Sequence, residues 1–140
     1  MNNYFQLEEF LKSDTALENK ISNLPSWEVI EHLIELKDFL NPLREKWGSA
    51  IIVTSGYRCK ELNNMLTYAS KTSVHMIGYA CDMIPANGKF EEFKSFLFDY
   101  LKDKNYDQCI VESNGKNRWI HLGLYANNGQ QRKLWMTFEI

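Results

Sequence analysis

The stretch SVHMIGYACD, residues 73–82, places a histidine and an aspartate seven positions apart, with Gly78 between them. The chain holds three histidines, His32, His75 and His121. Imidazoles and carboxylates are ligands for divalent metal ions. His121 sits in RWIHLGL, where strand alternation puts Trp119, His121 and Gly123 on one face. Ile120, Leu122 and Leu124 take the other, apolar face. A histidine turned from the apolar side, between a large ring and a residue with no side chain, suits a cleft floor. Asp82 lies inside the otherwise apolar YACDMI. A buried carboxylate is costly unless it is paired or bound to a cation. It could equally accept backbone N–H bonds or meet an arginine. Together, His75, Asp82 and His121 are three protein ligands from separate segments. Three ligands leave one tetrahedral position open for water, the pattern of a catalytic zinc and not of a closed structural one. A hydrogen-bonded core network of the same three side chains is the competing reading. His32 falls mid-helix beside an apolar stripe and reads as a boundary residue, not a ligand.

These side chains need elements to position them. Residues 4–13 read as a short helix with Phe5, Leu7, Phe10 and Leu11 inward, followed by a turn-rich stretch. Ser26 is the expected N-cap of a long helix whose buried stripe is Leu33, Leu36, Leu40, Leu43 and Trp47. Pro42 is expected to kink or divide it, and Gly48 to stop it. AIIVTS (50–55) reads as a buried strand and CKELNNML (59–66) as one or two helical turns. Residues 67–78 look polar and irregular, and YACDMI (79–84) is a strand. KFEEFKSFLFDYLKDK is an amphipathic helix burying Phe90, Phe93, Leu97, Tyr100 and Leu101. YDQCIVE and RWIHLGLY form a hairpin across SNGKN, and RKLWMTFEI closes the chain as a strand. Helices first and strands later favour an α+β fold with a mainly antiparallel sheet flanked by helices.

At 140 residues the chain reads as one domain, with a helical part over 1–48 and the motif-bearing part over 50–135. An apolar fraction of 44% and a net charge of −2 with mixed signs argue for a folded globule and against nucleic acid as a partner. Cys59, Cys81 and Cys109 are odd in number and widely spaced, so free thiols are expected. No run reaches the ~18 apolar residues of a membrane span. The opening MNNYFQLEEFLKSD reads as an amphipathic helix and not a signal peptide, so the chain is expected to be cytoplasmic at synthesis.

Three ordered motifs carry a resemblance. SVHMIGYACD matches the S-x-H-x-x-G-x-A-x-D pattern of the zinc D-alanyl-D-alanine carboxypeptidase family, peptidase family M15. SGYRCKELN (55–63) resembles that family's S-G-[YF]-R-x-x-x-x-N segment, WIH (119–121) its W-x-H segment, and DQCIVE (107–112) the strand paired with it. The likeness is to subfamily A of that family. It spans about residues 50–135 and most resembles the compact phage and bacterial branch. It implies a single Hedgehog/DD-peptidase-like domain. It implies that His75, Asp82 and His121 bind one Zn²⁺, and that Arg58 binds a substrate carboxylate or carbonyl oxygen. Ser73 would donate to substrate, or merely cap its loop. Gly78 and Ala80 would be small to let backbone pass the site, and Trp119 would wall the cleft or pack as a core ring.

Family members often carry the acid/base carboxylate three residues before the last histidine, where this chain has Arg118. Glu112 is the best local substitute. Opposite Arg118 it would form a cross-strand ion pair; opposite Trp119 it would share the face of His121 and act as base. A slip of one residue decides between them. The loop 67–73 also lacks the glycines often found before the histidine motif. The implied function is a zinc-dependent peptidase, carboxypeptidase or endolysin-like, cleaving next to D-amino acids in peptidoglycan stem peptides. It would be monomeric, and phage-encoded or released to reach the cell wall. The alternative is a catalytically impaired metal-binding module that binds cell-wall peptide or a protein partner.

Overall fold

The computed structural model describes residues 3–67 and 69–139. Met1, Asn2, Tyr68 and Ile140 lie outside the described residues, so the ends of the first and last predicted elements, and the Tyr68 position of the loop before His75, are not covered. The opening segment is a single 3-10 turn, Leu7–Phe10, with Phe5 and Phe10 buried. The expected turn-rich stretch contains a short helix α1 (Asp14–Glu18), because the Ser13 hydroxyl accepts the Ala16 N–H at 3.1 Å. Helix α2 (Trp27–Trp47) starts where Ser26 accepts from the Val29 N–H at 3.2 Å and stops at Gly48, φ +83°. Leu33, Leu36, Leu40 and Leu43 are fully buried on one face. Pro42 does not divide α2, which runs through it for 21 residues. Its ring costs one helical hydrogen bond, and the buried leucine stripe on both sides outweighs that.

A five-stranded sheet follows, in the order β1-β2-β4-β3-β5. Its strands are β1 (Ile51–Ser55), β2 (Ala80–Pro85), β3 (Gln108–Ser113), β4 (Arg118–Gly123) and β5 (Leu134–Glu139). Helix α3 (Lys60–Met65) and a 3-10 turn, Val74–Ile77, lie between β1 and β2. Helix α4 (Phe90–Tyr100) follows β2 and runs into a 3-10 turn, Leu101–Asp103. Pairings are antiparallel except β3 with β5, which is parallel. The fold is α+β with a mostly antiparallel sheet. Strand β1 was expected to be buried, but it is an edge strand, and Ile52 is exposed. Apolar β-branched content alone does not separate an edge from a centre.

Strand alternation gives the sheet two faces. Cys81 and Met83, Cys109 and Val111, Ile120 and Leu122 are buried against α2 and α4. Phe93 and Leu97 of α4 and the leucines of α2 complete this core. The opposite face carries Asp82, His121, Ile110 and Glu112. One side of the sheet is therefore fixed by the hydrophobic effect, which leaves the other free to carry polar chemistry. The cysteines are free thiols, Cys81 and Cys109 being buried. Among the described residues no helix is long and apolar enough to cross a membrane.

Candidate metal centre

His75 arrives on a loop held from three sides. The Ser73 hydroxyl accepts the His75 N–H at 3.2 Å and opens the 3-10 turn. Gly78 ends the turn at φ +85°, where a Cβ would meet the Val29 carbonyl at 2.9 Å. The smallness of Gly78 thus serves docking onto α2; it does not serve passage of backbone past the site. His32 belongs to the same clasp: its Nδ1 donates to the Ile77 carbonyl at 2.6 Å and its ring stacks on Tyr79. On the far side, His75 Nδ1 donates to the Gly56 carbonyl at 2.7 Å. A carbonyl can only accept, so this bond puts the proton on Nδ1 and turns the Nε2 lone pair inward. Gly56 is itself pressed on the N-terminal segment, where a Cβ would sit 2.3 Å from the Phe10 carbonyl oxygen.

Asp82 and His121 are cross-strand partners on β2 and β4, opposite one another on the same face. A register shift in β1 between Val53 and Ser55 sits beside them. His75 Nε2, His121 Nδ1 and Asp82 Oδ1 form a triangle whose three edges are each 3.2 Å. These three are the one set among the described residues with the spacing of a metal site. An ion bound tetrahedrally at about 2.0–2.1 Å holds neighbouring donor atoms about 3.3 Å apart. The triangle matches that spacing. Burial pushes His75 below the ordinary imidazole value, against the raising effect of the Asp82 charge. Burial opposes ionisation of Asp82, but the His75 and His121 imidazoles hold it well below the usual carboxylate range. Neutral imidazole and ionised carboxylate are the forms that bind a cation. The inward lone pair of His75 Nε2 faces the Asp82 carboxylate at 3.2 Å, an arrangement that a cation would satisfy.

The triangle opens into a cavity of about 480 Å³. Register places Glu112 opposite Trp119, on the face of His121, and Ser113 opposite Arg118. Glu112 lines the cavity, and the Trp119 indole N–H donates to its Oε1 at 3.0 Å. Burial, then the nearby Asp82 charge, raise the Glu112 carboxyl above its ordinary value. Trp119 is half-buried and braces Glu112; the cavity wall does not include it. Arg118 faces away, paired with Glu91 and stacked over Phe90. Arg58 is only 6% exposed and lines the cavity floor. Its guanidinium donates to Asn63 Oδ1 at 3.1 Å and to the Ser55 and Ser73 hydroxyls at 3.3 Å. Ser73 also lines the cavity, so capping and cavity placement coincide in one residue.

A family model described as Peptidase M15 matches residues 3–123. The chain belongs to the peptidase M15 family. No curated protein matches it. As an M15 peptidase it is a metallopeptidase by type, and its His-Asp-His triangle has the donor spacing that could hold a metal ion.

Two residues inside the SGYRCKELN motif were given no role from the sequence. Gly56 orients His75 through a backbone oxygen, which leaves no side-chain signal. Asn63 is 1% exposed and holds both Arg58 and the Ser70 carbonyl. Its place five residues after Arg58 was the available cue. Beyond the M15 match, Asn127 and Arg132 also reach the cavity, and neither stands in a motif.

Proposed function

We propose that the chain is a zinc-dependent peptidase that hydrolyses bonds next to D-amino acids in peptidoglycan stem peptides. The observation that carries this reading is a metal-spaced triangle sharing one cavity with Glu112 and Arg58. The donor set is two imidazoles and one carboxylate with no thiolate, which suits zinc with a position left for catalysis. Zinc held by His75, Asp82 and His121 supplies a Lewis acid that polarises a carbonyl and acidifies water.

The protein's own groups do the rest. Glu112, raised above the ordinary glutamate range, is suited to take a proton from water and return it to the leaving amine. The Trp119 bond to Oε1 fixes its direction and leaves Oε2 for the transfer. Arg58, immobilised by three side chains, offers a fixed guanidinium for a substrate carboxylate or carbonyl oxygen. The Gly56 carbonyl keeps His75 in the tautomer that binds metal.

A metal-binding module without catalysis is the second reading, favoured by Arg118 at the position where a base is common. Glu112 on the site face supports the enzyme instead. Digestion of purified muropeptides by the zinc-loaded chain, read by mass spectrometry, tests the choice. Release of D-alanine or a short D-amino-acid peptide is expected. Unchanged muropeptides would favour the second reading.

A further inference from the structure

The family match stops at Gly123, but the cavity continues past it. Ala126, Asn127, Arg132, Met136, Thr137 and Phe138 also line it. Strand β5 extends the rungs of the site face: Met136 pairs with Ile110, the neighbour of His121, and Phe138 pairs with Glu112. Met136 and Phe138 are 36% and 55% exposed, an apolar ledge beside the acid/base carboxylate. The Asn127 side chain crosses to the Thr72 carbonyl at 2.7 Å and ties this segment to the loop that carries His75.

Arg132, which lines the same cavity, stands in an asymmetric ion pair. Asp107 accepts from its Nε at 2.8 Å, its Nη2 at 2.9 Å and its backbone N–H at 3.1 Å. The Asp107 side chain is 1% exposed, whereas that of Arg132 is 44% exposed. The negative end is buried and the positive end borders the cavity. Nη1 has no partner among the described residues, so one edge of a rigidly aimed guanidinium is left for a ligand. Docking the 126–133 loop would need only a neutral hydrogen bond; a fixed, outward-facing cation suits anion recognition.

We propose that Arg132, with the Met136–Phe138 ledge, forms an anion-recognising subsite that selects peptides bearing a carboxylate away from the scissile bond and an apolar group beside it. This rests on the peptidase reading above. The probes are two non-hydrolysable peptides ending in D-alanyl-D-alanine with a reduced scissile bond. They differ only in one upstream residue, a glutamate linked through its side chain whose α-carboxyl is free in one and a carboxamide in the other. Calorimetric titration of the zinc-loaded full chain should show the acid binding about tenfold or more tightly than the amide. The double variant Asp107→Asn, Arg132→Gln keeps a neutral hydrogen-bonded pair. It should lose the preference and bind the two peptides with equal affinity. Equal affinity of the parent chain for both peptides would overturn the subsite, as would a preference that survives in the double variant or no binding of either peptide. Muropeptide hydrolysis by the same preparation separates that failure from failure of the peptidase reading.

Discussion

At the scale of single residues, the centre is a problem in protons. His75 spends its one N–H on the Gly56 carbonyl, so Nε2 can only accept from the triangle or bind a cation. Glu112 lies beyond the triangle, poised by burial. Glu112→Gln should lower kcat by about a hundredfold or more without loss of bound metal, measured by steady-state kinetics beside metal analysis. On the proposed mechanism Glu112 works as carboxylate, and burial raises its pKa, so activity should fall as pH drops while still above the ordinary glutamate range. A pH–rate profile of kcat/KM checks this. The three side chains of the triangle were legible as candidate ligands because two imidazoles and an intrastrand carboxylate are rare types in telling places, and the structure brings them together. The base was legible only as a choice between two registers, since a shift of one residue exchanges Trp119 for Arg118 opposite Glu112.

At the scale of elements, the ligands depend on backbone fits that sequence patterns do not carry. The 3-10 turn Val74–Ile77 is pinned by α2 through Gly78 and by the N-terminal segment through Gly56. Gly56→Ala would drive a methyl into the Phe10 backbone and displace the carbonyl that orients His75. Metal affinity should fall about 10–100-fold, read by competition with a chelator. The long helices and the strands were legible from apolar periodicity and caps such as Ser26, whereas the helix expected over 4–13 is a single 3-10 turn and α1 was not foreseen. The edge position of β1 and the parallel return of β5 were not, because both depend on which strand a neighbour finds. Burial opposes ionisation of Asp107, but the Arg132 bonds hold it below the usual range. That pairing contributes stability above the ordinary aspartate value of about 3.9, lost as pH falls through the lowered folded value. Arg132→Gln leaves the carboxylate buried without a charge partner, keeping only the backbone N–H bond of residue 132. It should cost about 3 kcal/mol at neutral pH and reverse the sign of the acid dependence, checked by urea unfolding across pH.

At the scale of the whole molecule, one sheet separates two kinds of work. Its inner face packs on α2 and α4 and makes the fold stable; its outer face holds the triangle, Glu112 and the cavity. Metal bound at the triangle would tie β2, β4 and the His75 loop together, so zinc at about 100 times its Kd should stabilise the chain by about 2.7 kcal/mol. Thermal unfolding with zinc and with chelator should differ by several degrees. The most direct test of the centre is X-ray absorption at the zinc edge on the zinc-loaded chain. One zinc per chain is expected, with only nitrogen and oxygen neighbours at about 2.0–2.2 Å, including two imidazoles. A sulfur neighbour at about 2.3 Å, or a chain that takes up no zinc, would contradict it.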